Sequence, residues 1–270
     1  MKAYRQSDQE SLFIKKILEK SMKFYRKLRR KYVDICRLVT ERIAKNYLNK
    51  NGDFKDLLKE VKIQSPSKGL SDFEYVRLYK MVRKIKPEYA LECGTGKSTF
   101  IIAHAMSKNG NGKKLVTMEE SKDWEEQQRK AFSYFFNHKR VNEWFPGEPA
   151  QLVNLMQSET TIESHRIWRG SCYKDISDYP YTFILVDGPQ LNDDCFLNMD
   201  LINVLKKSEN PISIWIDGRW AILAMCRALF GSKVVSKIGW THTEIYGATK
   251  EDLFKPRNSM DEIRRMAKGF

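Results

Sequence analysis

The sequence has few cysteines and no long apolar run. Its five cysteines are odd in number and widely scattered, which argues against a disulfide framework and against a paired-cysteine zinc site. No apolar stretch reaches the roughly 20 residues that span a bilayer. The longest, residues 212–230, is interrupted by Asp217, Arg219 and Arg227. The first residues show no apolar segment followed by small residues, so we expect no secretion signal and a reducing, cytoplasmic setting.

Acidic residues are scarce in the first quarter of the chain. Residues 1–68 hold nineteen Lys and Arg against eight Asp and Glu, so most of the net charge of +14 belongs there. The remaining three quarters are nearly neutral for their size. The basic charge therefore characterises an N-terminal segment and does not indicate the chemistry of the rest.

Apolar residues recur at steps of three and four between residues 11 and 50, which predicts a long amphipathic helix or two helices in series. A shorter helix is expected at 54–61, and residues 65–69 are typical of a linker. We therefore divide the chain into a basic helical extension (1–68) and a second domain (69–270). Three roles stay open for the extension: packing on its own domain or on a second copy as a homodimer, binding nucleic acid, or binding an anionic membrane face. The apolar positions are Ile14, Leu18, Met22, Tyr25, Leu28, Tyr32, Ile35, Val39, Ile43 and Tyr47.

From residue 71 onward, short apolar runs alternate with helical segments. Ser71 and Glu74 have the spacing of a capping box, which predicts a helix that runs to about Ile85. Alternating strands and helices predict a Rossmann-like α/β fold with a mainly parallel sheet of about seven strands. Two last strands, 233–237 and 241–246, are too close for a crossover and predict a C-terminal antiparallel hairpin. The other predicted strands are 89–92, 114–119, 151–156, 181–187 and 212–217, and the predicted helices are 98–108, 124–137, 193–207 and 220–230.

A glycine motif follows the first of these strands and opens a helix: Glu92-Cys93-Gly94-Thr95-Gly96-Lys97-Ser98-Thr99. Glycines there let the backbone turn sharply and approach a ligand, and the helix N-terminus offers unpaired N–H groups. A P-loop needs a further glycine at position 91, which is Leu, so the loop is too short to wrap a triphosphate. A dinucleotide fingerprint needs a small residue at position 99, which Thr99 fits poorly.

The motif resembles the first motif of class I S-adenosylmethionine-dependent methyltransferases, an acidic residue followed by Gly-x-Gly. The resemblance implies that Glu92 lies near the amino-acid end of the ligand. It also implies that Glu119, at the end of the next strand, accepts hydrogen bonds from both ribose hydroxyls, with Glu120 as the alternative if the strand is shifted by one residue. Ser158 would lie near the adenine edge. The implied cofactor-binding residues are Glu92, Cys93, Gly94, Thr95, Gly96, Ser98, Glu119, Glu120, Ser158 and Asp187.

Residues 181–189 resemble the fourth motif of the same family, at the carboxyl end of the central strand. Ligands of open α/β sheets gather at that edge, so we expect Asp187 to face the reacting group as a catalytic residue. Asp217 repeats the arrangement one strand over. Three roles stay open for the two residues: general base, clamp for a substrate hydroxyl, or ligands of a divalent cation. Each residue also fits the cap of a following helix or turn.

The four histidines form no cluster, and no Ser-His-Asp order or His-Glu-x-x-His motif is present. His165 and Trp168 lie in the segment between the third and fourth predicted strands, where an anion-binding, aromatic wall for a substrate is one expectation. A core position for Trp168 is the other. The candidate substrate-binding residues are Asp217, Arg219, His165 and Trp168.

The sequence thus predicts a methyltransferase that uses S-adenosylmethionine and releases S-adenosylhomocysteine. Asp187-Gly188-Pro189-Gln190 departs from the Asn/Asp-Pro-Pro-aromatic signature of amino-directed nucleic-acid enzymes, which favours an oxygen of a sugar, glycan or small metabolite as acceptor. An RNA methyltransferase that uses the basic extension is the alternative. Two other classes stay open: a non-catalytic scaffold that retains the cofactor pocket, and a nucleotide-binding NTPase.

Overall fold

The computed structural model describes residues 27–28, 30–65, 67–190, 197–218, 220–236 and 241–255. Its main sheet has seven strands in the order β3-β2-β1-β6-β7-β9-β8. The first five of these strands run parallel, and β9 runs antiparallel to both β7 and β8. The Rossmann-like fold class predicted from the sequence is confirmed. These strands are β1 (Tyr89–Cys93), β2 (Lys114–Glu119), β3 (Val153–Gln157), β6 (Phe183–Val186), β7 (Ile212–Asp217), β8 (Val234–Val235) and β9 (His242–Ala248).

Five helices begin within two residues of where the sequence predicts them, whereas the short helices at 141–144, 149–152 and 250–254 were not predicted. The capping box is present, since the Ser71 hydroxyl accepts the Glu74 N–H and the Glu74 carboxylate accepts the Ser71 N–H. The predicted helix 193–207 begins at Asp200 among the described residues. The helices are α1 (30–50), α2 (Gly52–Gln64), α3 (Asp72–Ile85), α4 (Lys97–Asn109), α5 (Lys122–Phe136), α6 (Val141–Trp144), α7 (Pro149–Leu152), α8 (Asp200–Lys207), α9 (Trp220–Phe230) and α10 (Lys250–Phe254).

Alternate residues of the central strands feed two separate cores, one on each face of the sheet. Ala90, Phe183 and Leu185 belong to the core under α2 to α5, whereas Leu91 and Ile184 belong to the core under α8 and α9. A parallel sheet buried on both faces explains why these strands are continuous apolar runs without alternation. The carboxyl ends of the strands, where the polar residues lie, are therefore the exposed edge of the sheet.

Several predicted strands differ in their bounds from the observed ones. The third strand was expected from residue 151, but Pro149 starts a helical turn there because its fixed φ suits the first helical position. The strand expected at 181–187 is shorter, Phe183–Val186. The expected C-terminal hairpin exists as the antiparallel pair β8 and β9, but β8 has two residues only and β9 extends to Ala248. Residues 237–240, where its turn was expected, lie outside the described residues.

A second, two-stranded sheet interrupts the Rossmann order between β3 and β6. It is the antiparallel hairpin of β4 (Thr160–His165) and β5 (Trp168–Tyr173), which the sequence analysis did not predict. The hairpin packs on the chain that leads into α8: the Ser171 N–H donates to the Leu197 carbonyl at 2.9 Å, and the Met199 N–H donates to the Ser171 carbonyl at 2.8 Å. Trp168 is buried in the second core, which is the core alternative left open for it.

Helix α2 lies in the predicted extension 1–68 but shares a core with helices of the predicted second domain. Phe54, Leu57, Leu58 and Val61 of α2 are almost fully buried in the same core as α3 and α4. These four residues follow one another at steps of three, one and three, so they form one apolar face of the helix. Such a face is stable only when it is buried against a neighbouring element. Among the described residues of the extension, those of α1 before Ala44 lie outside this core, which α1 joins through Ala44 and Leu48. No helix of the described ranges is long and apolar enough to cross a membrane.

Candidate functional site

A cavity of about 560 Å³ lies at the carboxyl ends of β1, β2, β6 and β7. The strand order reverses between β1 and β6, so the cavity occupies the switch point where open α/β sheets bind ligands. Its size is within the usual range for small-molecule sites. The lining residues are Ser67, Lys68, Gly69, Leu70, Tyr75, Gly94, Thr95, Gly96, Lys97, Ser98, Glu119, Glu120, Ser121, Trp124, Leu185, Asp187, Gly188, Gln190, Trp215 and Asp217.

The glycine motif forms the loop between β1 and α4 at one wall of this cavity. Gly94 has φ +93°, a left-handed conformation that disfavours any side chain. Its N–H donates to the Met118 carbonyl at 3.0 Å, which joins the loop to the end of β2. The motif therefore presents backbone rather than side chain to the cavity at Gly94 and Gly96, as the sequence predicts.

Glu92 lies beneath this loop and not in the cavity wall. It is fully buried and accepts hydrogen bonds from the hydroxyls of Thr99 at 2.5 Å, Ser98 at 2.6 Å and Thr117 at 2.8 Å. Burial raises the pKa of Glu92 to about 7, although the three hydroxyl donors act in the opposite direction. The position differs from the ligand contact that the resemblance implied, because two hydroxyls of the first turn of α4 draw the carboxylate under the helix.

Glu119 ends β2 and lines the cavity. One of its oxygens accepts the Ser121 N–H at 3.0 Å, which fixes the carboxylate on the bend that follows the strand. Burial raises the pKa of Glu119 to about 7, and the neighbouring Glu120 adds to the effect. A buried carboxylate at this position is suited to accept hydrogen bonds from a pair of hydroxyls.

Glu120 also lines the cavity, but both of its oxygens have partners. Oε2 accepts the Tyr173 hydroxyl at 2.8 Å, and Oε1 accepts the Gln190 N–H at 2.8 Å. These bonds connect the bend after β2 with the hairpin of β4 and β5 and with the chain that follows β6. Of the two adjacent glutamates, Glu119 is thus the better placed to bind a ligand.

Asp187 follows β6, Asp217 ends the neighbouring parallel strand β7, and both line the same cavity. The pairing of Val186 with Ile216 places the two aspartates side by side at the sheet edge, which is where the sequence predicts them. Asp187 is exposed, and its N–H donates to the Cys93 carbonyl at 2.8 Å. Within the described residues no group of three or more His, Cys, Asp or Glu side chains is arranged to hold a metal ion.

Four expected site residues lie away from the cavity. Cys93 is buried in the second core, and Ser158 is buried with its hydroxyl accepting the Asp175 N–H at 3.2 Å. His165 and Trp168 belong to the hairpin of β4 and β5, where His165 lies 3.2 Å from the Leu253 carbonyl. The expected aromatic wall is therefore not formed by this segment, because the hairpin folds back on α8 and α10. Arg219 lies outside the described residues.

Part of the cavity wall is formed by a segment that overlaps the linker predicted at 65–69. We call residues 67–70 the strap. The Ser67 hydroxyl accepts the Lys97 N–H at 3.2 Å, and the Leu70 N–H donates to the Tyr75 hydroxyl at 2.9 Å. Gly69 has φ +74°, and a Cβ there would lie 2.2 Å from the Tyr75 hydroxyl oxygen. The strap thus closes over the first turn of α4.

Three aromatic residues of the cavity were also missed: Tyr75, Trp124 and Trp215. Trp124 donates its indole N–H to the Thr95 carbonyl at 3.0 Å, so it fixes the glycine motif from the side of α5. Its place in the first turn of a predicted helix that follows Glu119 was the available signal. Trp215 occupies an apolar strand, where nothing in the sequence distinguishes a cavity residue from a core residue.

A polar network supports the Trp215 wall from behind. The His242 ring stacks on Trp215 at a centroid distance of 3.9 Å, and its two nitrogens each lie 3.4 Å from a carboxylate oxygen, one of Glu74 and one of Glu244. Arg77 donates to both oxygens of Glu244, at 2.6 and 2.7 Å. Burial raises the pKa of Glu244, but the hydrogen bonds from His242 and Arg77 outweigh it and lower the pKa to about 2. The network joins α3 to β9.

No protein-family model and no curated protein matches the chain. Solved structures that are similar to it include an O-methyltransferase from Bacillus cereus in complex with SAH (18% identity, 68% of this chain and 73% of that chain, TM-score 0.41). A putative O-methyltransferase from Klebsiella pneumoniae is 15% identical over 75% of this chain and 96% of that chain, with TM-score 0.45. A methyltransferase from Geobacter sulfurreducens is 12% identical over 77% and 96%, with TM-score 0.46.

Proposed function

We propose that the chain is an S-adenosylmethionine-dependent methyltransferase that acts on an oxygen of a sugar, a glycan or a small metabolite. The observation that carries the proposal is the convergence of Gly94, Glu119 and Asp187 on one cavity at the switch point of the sheet. Each of the three has a distinct chemical use. Gly94 allows close approach of the backbone to the ligand, Glu119 can accept hydrogen bonds from a diol, and Asp187 can accept a proton. Methyl transfer from an adenosyl donor to a hydroxyl group makes use of all three.

The residues present fit S-adenosylmethionine. Gly94 offers a wall without a side chain, and Glu119 offers an acceptor for the two ribose hydroxyls. Trp124 and Tyr75 add aromatic surface to a cavity that is large enough for a nucleoside. When bound, S-adenosylmethionine supplies a methyl group on a positively charged sulfur.

The contribution of the chain is to orient the acceptor and to remove its proton. The side chain of Asp187 is exposed in the cavity. Its backbone is held by the hydrogen bond from its N–H to the Cys93 carbonyl, which fixes the point from which the carboxylate extends. It is the candidate general base for an acceptor hydroxyl, and Asp217 beside it is the candidate clamp for a second hydroxyl. Fixing donor and acceptor in reacting geometry supplies much of the rate of such a transfer.

The cofactor is tested by calorimetric titration with S-adenosylmethionine, S-adenosylhomocysteine and ATP. We expect micromolar binding of both adenosyl compounds, weakened by about 1–3 kcal/mol in Glu119→Ala. Glu126→Ala removes an exposed carboxylate of α5 outside the cavity and is the matched control, expected to bind as wild type. Binding of ATP without binding of the adenosyl compounds would overturn the proposal in favour of the nucleotide-binding alternative.

The acceptor class is tested with methyl-labelled S-adenosylmethionine and separated pools of small metabolites, glycans and RNA. Label in metabolites or glycans supports the proposal, and label confined to RNA overturns its acceptor half. Asp187→Asn should lower transfer by roughly 10²–10⁴-fold while cofactor binding persists. Asp178→Asn, at an exposed aspartate outside the cavity, is the control. A cellular function that survives Asp187→Asn would point to the scaffold alternative.

A further inference from the structure

Helix α1 presents an apolar row to solvent. Its five members follow one another at steps of four, three, four and four, which places them along one side of the helix. They are 47–59% exposed, although each is a large apolar side chain. The row ends where Ala44 and Leu48 carry the helix into the core. The α1 row is Leu28, Tyr32, Ile35, Val39 and Ile43.

Basic residues run along one flank of the α1 row. Lys31 lies four residues before Ile35, and Arg42 lies seven residues after it. Both spacings place the basic residue on the same side of the helix as Ile35. Both are exposed, and neither makes an ion pair with any residue that the structure describes. Of the two acidic residues of α1, Asp34 and Glu41, the second pairs with Arg37 at 3.0 Å. The α1 flank, completed by Lys27 and Lys45, is therefore a line of positive charge without an ion pair among the residues that the structure describes.

The charge of the segment selects among the possible partners. Residues 27–50 hold eight Lys and Arg against two acidic residues. A second copy would cover the α1 row but would bring two strongly cationic helices together, and like charges at that distance repel. Nucleic acid would neutralise the α1 flank but would leave the α1 row in water, since phosphate contacts need no apolar surface.

We propose that α1 binds the surface of an anionic lipid membrane, with the α1 row among the acyl chains and the α1 flank among the headgroups. Amphipathic helices with this arrangement lie in the plane of the interface, and each basic residue strengthens their attraction to acidic lipids. The apolar spacing continues upstream in the sequence at Ile14, Leu18, Met22 and Tyr25. This inference does not depend on the proposed function of the cavity.

The test is co-sedimentation of the full chain with vesicles of phosphatidylcholine, with and without phosphatidylserine. We expect binding to the mixed vesicles, and a loss on the order of tenfold in Ile35→Ser/Val39→Ser and in Lys31→Gln/Arg42→Gln. The loss in the lysine and arginine variant should shrink at high salt, because screening already removes that part of the attraction. Ile162→Ser/Ile167→Ser on the hairpin of β4 and β5, where both residues are exposed, is the matched apolar control.

Circular dichroism and thermal unfolding of each variant show whether it is folded, so a loss of binding is attributable to the surface. Three outcomes would overturn the proposal. One is equal binding of wild type and of the Ile35→Ser/Val39→Ser variant. Another is a wild-type dimer in sedimentation equilibrium that this variant dissociates, which assigns the α1 row to a second copy. The third is binding to RNA, but not to vesicles, that Lys31→Gln/Arg42→Gln weakens.

Discussion

The backbones of Gly94 and Gly188 are in contact across the loops that follow β1 and β6. A Cβ on Gly94 would lie 2.6 Å from the Gly188 nitrogen, and a Cβ on Gly188 would lie 2.7 Å from the Gly94 Cα. Neither distance occurs between a real Cβ and backbone, so each glycine excludes a side chain on the other. The two sequence motifs that carry the resemblance are thus one physical unit: the turn that approaches the ligand and the turn that presents Asp187.

We therefore expect Gly94→Ala and Gly188→Ala to destabilise the protein by about 1–3 kcal/mol, since overpacking forces the two loops apart. The same displacement should weaken S-adenosylmethionine binding. Gly52→Ala is the control, because a Cβ there meets nothing within 4 Å and the residue begins a helix. Urea unfolding and calorimetry check both effects. Wild-type stability in Gly188→Ala would show that the two loops are not in contact.

Ligand binding should depend on pH through Glu119. Its pKa is raised to about 7 by burial, and a diol donates to the charged carboxylate. Affinity for S-adenosylhomocysteine should therefore fall as the pH drops below about 7, by up to roughly tenfold per pH unit. Glu119→Gln should bind more weakly and lose this dependence. A wild-type affinity that is constant from pH 5 to 8 would contradict the assignment.

The raised pKa of Glu119 affects the stability of the ligand-free protein in the opposite direction: ligand affinity rises with pH, whereas stability falls. Because the folded state raises the pKa of Glu119, its contribution to stability is present below the unfolded pKa and lost as the pH rises through about 7. Glu119→Gln, which stays neutral, should therefore gain stability relative to wild type above pH 7 in the absence of ligand. Thermal unfolding at pH 5 and pH 8 measures the difference between the two proteins.

Substitution of Glu92 should lower stability and leave ligand binding nearly unchanged, whereas substitution of Glu119 should weaken ligand binding. It accepts three hydroxyl hydrogen bonds beneath the glycine motif and has no place in the cavity wall. Glu92→Leu leaves those buried hydroxyls without an acceptor and should cost about 1–3 kcal/mol of stability or more. Glu92→Gln keeps an acceptor oxygen and should bind S-adenosylhomocysteine within about twofold of wild type. Loss of binding without loss of stability in Glu92→Gln would restore the ligand contact that the sequence implied.

Truncations should distinguish α1 from α2. A chain that begins at residue 44 keeps the buried residues of α2 and the strap, and we expect it to fold and to bind the adenosyl ligand. A chain that begins at residue 69 loses Phe54, Leu57 and Val61 from the core, each worth about 2–5 kcal/mol when a buried large side chain is removed. That total is about as large as the whole stability of an ordinary domain, roughly 5–15 kcal/mol. Soluble expression and circular dichroism give the answer, and a cooperative transition from the shorter chain would show that α2 is dispensable.

The sheet and the carboxylates at its edge were predictable because their signals are local. An apolar run that ends in Glu119 or Asp187 contains both the strand and the place where it stops. The side chain of Glu92 was not predictable in the same way. Its direction depends on Ser98 and Thr99, whose hydroxyls reach it only after α4 has packed on the strand.

The hairpin of β4 and β5 and the strap were missed for a different reason. Ser, Pro and Gly at 65–69 indicate a linker by composition, and the position of the strap is set by Ser67 with Lys97, thirty residues away. The turn of the hairpin has no Asn-Gly or Asp-Gly pair. Arg166 takes the left-handed conformation there, at φ 54°, in place of the usual asparagine or glycine. Contacts between distant residues, and a turn without its usual glycine, leave no mark in a local pattern.

Connections between helices are ordinarily where a chain accepts extra residues, because they lie on the surface and make few contacts with the rest of the fold. The strap is an exception. It caps the first turn of α4 through Ser67, it has no room for a side chain at Gly69, and it forms one side of the cavity. A spacer, tag or fusion partner placed between residues 67 and 70 would therefore damage the ligand site as directly as a substitution in the glycine motif.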